Sequence, residues 1–198
     1  MKGMLKALTA VAMATAFTAS TAHAQTPVSF GVGGGVNIPL SNFGDAAKLG
    51  FQGTALVQFA PANLPVAFRV DGTYQQNKFS DDLAASPAGD GKFQNIYGTA
   101  DIVYTFKTAE SSMFHPYLIA GGGVYNGKAK FDSDVDTGSD TKFGINGGAG
   151  FDYSAGSATI FLEARFHNVF SAGTDIDTGE ETSLNFVPIT VGVKFGGK

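Results

Sequence analysis

Between Val28 and Phe195, eight segments alternate apolar and polar residues with a period of two. That spacing sends successive side chains to opposite faces of an extended strand. In the first segment Val28, Phe30, Val32, Val36 and Ile38 share one face, and Ser29, Gly31, Gly33, Gly35 and Asn37 share the other. The second sets Phe51, Ala55, Val57 and Phe59 against Gln52, Thr54 and Gln58. The third sets Val66, Phe68, Val70 and Tyr74 against Arg69, Asp71 and Thr73. The fourth sets Ile96, Ala100, Ile102, Tyr104 and Phe106 against Thr99, Asp101 and Thr105. In the fifth, Tyr117, Ile119 and Tyr125 read as the apolar face, and Gly122 and Asn126 as the other. The sixth sets Phe143, Ile145, Ala149, Phe151 and Tyr153 against Gly144, Asn146, Gly148 and Asp152. The seventh sets Ile160, Leu162, Ala164, Phe166 and Phe170 against Glu163, Arg165 and His167. The eighth sets Ile189, Val191, Val193 and Phe195 against Thr190, Gly192 and Lys194. Just upstream, Pro188 blurs the register, since proline cannot donate to a ladder and often marks a bulge.

A soluble sandwich or barrel also alternates, but it turns its apolar face inward. Here the second face carries Arg69, Asp71, Asp101, Asp152, Glu163, Arg165 and Lys194, which a dry apolar core does not hold. Turning the apolar face to lipid and the polar face to a lumen removes the conflict. The fold class expected is all-β, an eight-stranded antiparallel up-and-down transmembrane β-barrel. Its spans of roughly 9–11 residues suit a tilted membrane strand. The connections agree: 60–65, 107–116 and 154–157 read as shorter turns, and 39–50, 75–95, 128–142 and 171–183 as longer loops. Short connections on one side and long ones on the other are the signature of a barrel between periplasm and exterior. Phe and Tyr near the strand ends, including Phe30, Phe59, Tyr74, Phe106, Tyr117, Tyr125, Tyr153 and Phe195, read as interfacial girdles.

Composition and charge narrow this further. The chain has 198 residues, no cysteine and a formal net charge of −4. Without a basic run, nucleic acid is not an expected partner. Without disulfides, an exported chain depends on its backbone ladder and packing. Lys2 and Lys6, the Ala-rich run 7–19 and Ala22-His23-Ala24 fit a cleaved secretory signal. The expected organisation is a signal peptide over 1–24 and one barrel domain over 25–198. No later apolar run approaches the ~20 residues of a membrane helix, so closure of a barrel is the route by which every backbone group is satisfied in lipid.

Three stretches carry a resemblance. Pro116-Tyr117-Leu118-Ile119-Ala120-Gly121-Gly122-Gly123, Phe161-Leu162-Glu163-Ala164-Arg165-Phe166 and Val187-Pro188-Ile189-Thr190-Val191-Gly192-Val193-Lys194-Phe195 resemble the eight-stranded outer-membrane β-barrel domain family, of the OmpX and OmpA transmembrane-domain type. The resemblance implies a cell outer-membrane location and insertion by the outer-membrane assembly machinery. Phe195 is followed by Gly196-Gly197-Lys198, so the terminal aromatic of the assembly signal is lost while Thr190-x-Gly192-x-x-Phe195 keeps part of it.

The candidate site is the lumen charge network of Arg69, Asp71, Asp101, Asp152, Glu163, Arg165 and Lys194. An eight-stranded barrel is about wide enough inside for side chains only. Charges there must pair, so the expectation is a salt-bridged plug, the alternative a narrow pore for ions or small solutes. The second alternative is a lipid-modifying enzyme: a lipid A deacylase on such a barrel uses a His/Ser pair, but in His167-Asn168-Val169-Phe170-Ser171 the tight His-x-Ser-Asn spacing is missing. Asp132-x-Asp134-x-Asp136-x-Gly138 lacks Gly at its sixth position and Glu at its twelfth, and with Asp175-x-Asp177-x-Gly179-Glu180-Glu181 it reads as solvated loop acids. A soluble barrel with an apolar ligand would need an apolar lumen. The protein is expected to be a monomer without enzymatic activity, metal or cofactor. Its partners are expected to be outer-membrane lipid and lipopolysaccharide, with a structural or loop-mediated surface role.

Overall fold

A computed structural model describes residues 28–85, 90–109, 111–131, 138–170 and 183–196. The proposed signal over 1–24, Glu110, Ser171, the aspartates at 132, 134 and 136, the Asp175–Glu181 motif, and Gly197-Lys198 lie outside the described residues. The strands are β1 (Val28–Leu40), β2 (Ala47–Phe59), β3 (Ala67–Phe79), β4 (Gly91–Thr105), β5 (Phe114–Phe131), β6 (Asp140–Ala155), β7 (Ala158–Val169) and β8 (Leu184–Gly196). Each pairs antiparallel with the next, and β1 closes on β8. Closure leaves no sheet edge, as a lipid environment requires.

The outward face is apolar: Val70 is 61% exposed, Ile96 60%, Val191 55% and Phe143 70%. Along β4 and the residue just past it, this belt runs from Phe106 to Ile96. At about 3.4 Å per residue and a tilt near 40°, that stretch is roughly 26 Å tall, the height of a hydrocarbon band. At its short-turn edge Tyr104 meets Phe106 and Phe114 meets Tyr153, with ring centroids 5.2 and 5.0 Å apart.

The strands run further than the alternation predicts, 12 to 18 residues each. Reading apolar periodicity stops a strand where its lipid-facing residues stop. The ladder needs only backbone groups and continues into water, through Gln76, Lys78, Lys92, Gln94, Lys128 and Lys130. The connection between β1 and β2 therefore shrinks to 41–46, no longer than the turn over 60–66, so the expected alternation of lengths fails there. It holds the one-turn helix α1 (Asn42–Ala46), entered through Ser41 at φ 51°, and Phe43 is turned inward. A second turn, α2 (Asp81–Ala84), follows β3. The connection between β6 and β7 tightens to Gly156-Ser157, with Gly156 at φ 67°, a left-handed value that glycine adopts without steric cost.

The register around Pro188 is resolved, and one expectation is corrected. Pro188 causes no bulge: β1–β8 pairing passes through Asn37↔Pro188 in one register, and β7–β8 keeps its register on either side. The irregularity is in β2, between Ala47 and Gly50. The fifth strand is inverted. Tyr117, Ile119 and Tyr125 are each 2% exposed and face the lumen, while Leu118 and Val124 face out. Both faces of β5 are apolar, so alternation alone does not orient it. Register does: Asp101 lies opposite Gly121, which fixes the odd positions inside. The approach is close, since a Cβ on Gly121 would collide with the Ala100 carbonyl and the Asp101 carboxylate.

Candidate functional site in the barrel lumen

All seven predicted charges point into the barrel, but they form two groups. Arg69 and Asp71 come from β3, Asp101 from β4, and Glu163 and Arg165 from β7, a strand that faces β3 across the lumen. Arg69 contacts Asp71 and Glu163, both at 2.8 Å. Arg165 reaches three carboxylates: Glu163 at 2.6 Å, Asp71 at 3.0 Å and Asp101 at 3.0 Å. The planar guanidinium fork makes this possible, since it presents several donors in fixed directions. Side-chain exposure across the five residues is 7% or less. Lys194 and Asp152 form the second group, a pair at 2.6 Å nearer the short-turn end. Lys194 is more enclosed than its place near a strand end predicts. Its side chain is 6% exposed, and its ammonium lies 5.6 Å from the centre of the Tyr117 ring.

Neutral donors complete the first group. Tyr117 donates to Glu163 Oε2 at 2.7 Å, Thr99 to Asp101 at 2.7 Å and Asn146 to Asp101 at 2.7 Å. Tyr117 lies near a strand end, where alternation alone makes a tyrosine a girdle residue. The parity set by Gly121 and Gly123, whose Cβ positions would strike β4, is the signal that finds it. Tyr117→Phe is expected to cost roughly 1–3 kcal/mol, because it strips a donor from a buried carboxylate. Tyr104→Phe, at the outer girdle, should change stability by less than about 0.5 kcal/mol. Equal midpoints for the two variants in urea titrations of the bilayer-inserted barrel would return Tyr117 to the lipid face.

Apolar layers flank the charges. Towards the short turns Ala67, Val103, Tyr117 and Ile119 pack together. Towards the long connections Phe43, Tyr97, Tyr125, Val169 and Phe186 form a second cluster. His167 belongs to this layer. It is 1% exposed, stacks on Phe186 at 4.8 Å and shares a hydrogen bond with the Tyr125 hydroxyl at 2.8 Å through Nδ1. Above lies a cavity of about 240 Å³ lined by residues that include Phe43, Phe93, Leu184 and Phe186. The lumen is thus mixed, which the sequence reading of a uniformly polar interior did not anticipate. Among the described residues, no cluster of His, Cys, Asp and Glu is arranged to hold a metal ion.

A family model described as outer membrane protein beta-barrel domain matches residues 9–195. No curated protein matches the chain by sequence. Solved structures match it in fold. Neisserial surface protein A shares 18% identity at a TM-score of 0.60, covering 85% of this chain and 96% of that one. OprG from Pseudomonas aeruginosa shares 12% at 0.54, covering 86% and 96%. Ail of Yersinia pestis, solved with the heparin analogue sucrose octasulfate, shares 14% at 0.52, covering 87% and 100%. At these identities the likeness is one of fold.

Proposed function

The chain belongs to the outer membrane protein β-barrel domain family, and from that premise we propose that it is a closed, non-conducting barrel with a structural or loop-mediated surface role. Its compartment is the bacterial outer membrane. One observation carries the reading. Arg69 and Arg165 tie β3 to β7 in both directions, Arg69 to Glu163 and Arg165 to Asp71, so ion pairs cross the full width of the lumen. An ion path would have to break these contacts, and unpaired charges in so enclosed a space are costly. The Gln52–Thr190 and Tyr97–Gln52 hydrogen bonds, 2.6 and 3.1 Å, add a second barrier next to the first. Against an enzymatic role, the lumen histidine is enclosed by Tyr97, Tyr125 and Phe186 and already uses Nδ1. A general base needs access to the proton it takes.

Planar-bilayer recording tests the closed lumen. Wild type is expected to stay near background, and Arg165→Ala to show added current, because it frees three carboxylates from one shared cation. Discrete, voltage-stable steps in wild type would replace this reading with the narrow pore. Lipid partners and the assembly machinery remain part of the proposal, and a single barrel per particle in mild detergent is its expected assembly state.

A further inference from the structure

The outward faces of β3, β4 and β5 carry an arrangement that barrel closure does not use. Up to Tyr74, Ile96 and Val124 these faces are apolar and exposed. At the next outward positions, Gln76, Gln94 and Asn126, the apolar belt ends. Beyond it stand Lys78, Lys92, Lys128 and Lys130. Lys78 lies directly opposite Lys92, and Lys92 directly opposite Lys130. Lys128 lies opposite Gln94, one rung nearer the belt. Directly opposed side chains on one face have Cβ atoms about 4.5–5.5 Å apart, and like charges there repel.

Among the described residues, no carboxylate forms an ion pair with this row. Asp81 is taken by Lys48 at 2.6 Å, and Asp140 by Lys142 at 3.1 Å. Among the described residues, the ion pairs leave Lys78, Lys92, Lys128 and Lys130 without a partner. The height is informative too. The row of three lies four residues past the Tyr74–Ile96 rung, about 13 Å along the strands and about 10 Å along the membrane normal. That is headgroup depth, and long lysine stems can lean back towards the belt.

We propose that this row binds the phosphorylated headgroup of an anionic outer-leaflet glycolipid. Its phosphates sit among Lys78, Lys92 and Lys130, with Lys128 as a further donor, and its acyl chains lie on the belt at Tyr74, Ile96 and Val124. A membrane-embedded ligand suits the site better than a free anion. A lipid engages both the lysine row and the exposed apolar belt at Tyr74, Ile96 and Val124, whereas a soluble anion engages the lysines alone. The assignment rests on the reading that the long connections face outward.

The test uses the folded barrel in zwitterionic micelles, with native mass spectrometry as the readout. Bisphosphorylated lipid A is expected to bind wild type. Binding should weaken about a hundredfold in the triple variant Lys78→Gln, Lys92→Gln, Lys130→Gln, from roughly a fivefold loss per lysine. The matching triple Lys→Arg variant should retain it, and phosphate-free lipid A should not distinguish wild type from the Gln variant. Heat-shifted gel mobility confirms that each variant is folded. In lipid A-free micelles at low salt, Lys92→Gln alone should raise the melting midpoint by relieving repulsion, and added bisphosphorylated lipid A should erase that gain. A loss below about tenfold in the Gln variant, or displacement of lipid A by millimolar inorganic phosphate, overturns the proposal. Membrane-impermeant amine labelling of Lys78 on intact cells tests orientation separately. Labelling only after lysis would overturn the outward reading of the long connections, whatever the micelle result.

Discussion

Arg165→Ala is expected to destabilise the barrel by roughly 3–5 kcal/mol, the cost of leaving buried charge uncompensated. Arg165 is the shared cation of Asp71, Asp101 and Glu163, and its loss leaves Arg69 with Asp71 and Glu163 alone. Asp101 would keep only its neutral donors, Thr99 and Asn146. Lys194→Ala should cost less, about 1–3 kcal/mol. It strands a single carboxylate, Asp152, whose side chain retains 15% exposure. Arg165→Lys should fall nearer to Ala than to wild type, because one ammonium cannot replace a fork serving three acceptors. Reversible urea unfolding from lipid vesicles measures all three. Equal losses for Arg165→Ala and Lys194→Ala would mean that the cross-lumen cluster is not what holds β3 to β7.

On the opposite face, Ile102→Arg and Ile145→Arg should each cost roughly 2–4 kcal/mol, the range for a cation placed near the middle of the lipid band. Ile102 is 52% and Ile145 54% exposed on the outward surface, so neither change removes core packing. The cost comes from desolvating the new charge in hydrocarbon. Depth dependence separates this from a general dislike of arginine. Asn63→Arg, in the exposed turn between β2 and β3 beyond the belt, should be nearly neutral. Asn146→Arg points inward and should fail by another route, crowding a position 6% exposed whose amide already serves Asp101. If Ile102→Arg and Ile145→Arg unfold at the wild-type urea concentration, the outward face does not meet lipid.

The alternation of residues determined the architecture. Strand number, the apolar outward face and the inward placement of Arg69, Asp71, Asp101, Asp152, Glu163, Arg165 and Lys194 all follow from a period of two, because a strand's geometry sends neighbours to opposite faces. Where both faces are apolar, as on β5, a period of two no longer distinguishes inside from outside. Periodicity alone puts Tyr117, Ile119 and Tyr125 in lipid, and only pairing with β4, which sets Gly121 against Asp101, turns them inward. Periodicity also could not locate the strand ends past the membrane, since Lys78, Lys92 and Lys130 continue the ladder without an apolar residue to mark it.

Pairing across the lumen was beyond the sequence for a similar reason. Glu163 and Arg165 share a strand face, so their proximity can be read directly, and the structure places them 2.6 Å apart. That Asp71 and Asp101 belong to the same cluster, while Asp152 takes Lys194, depends on the stagger of eight strands around a closed cylinder. A one-dimensional pattern specifies which side of a strand a residue occupies. The height at which it meets the opposite wall is decided by register, summed around the barrel.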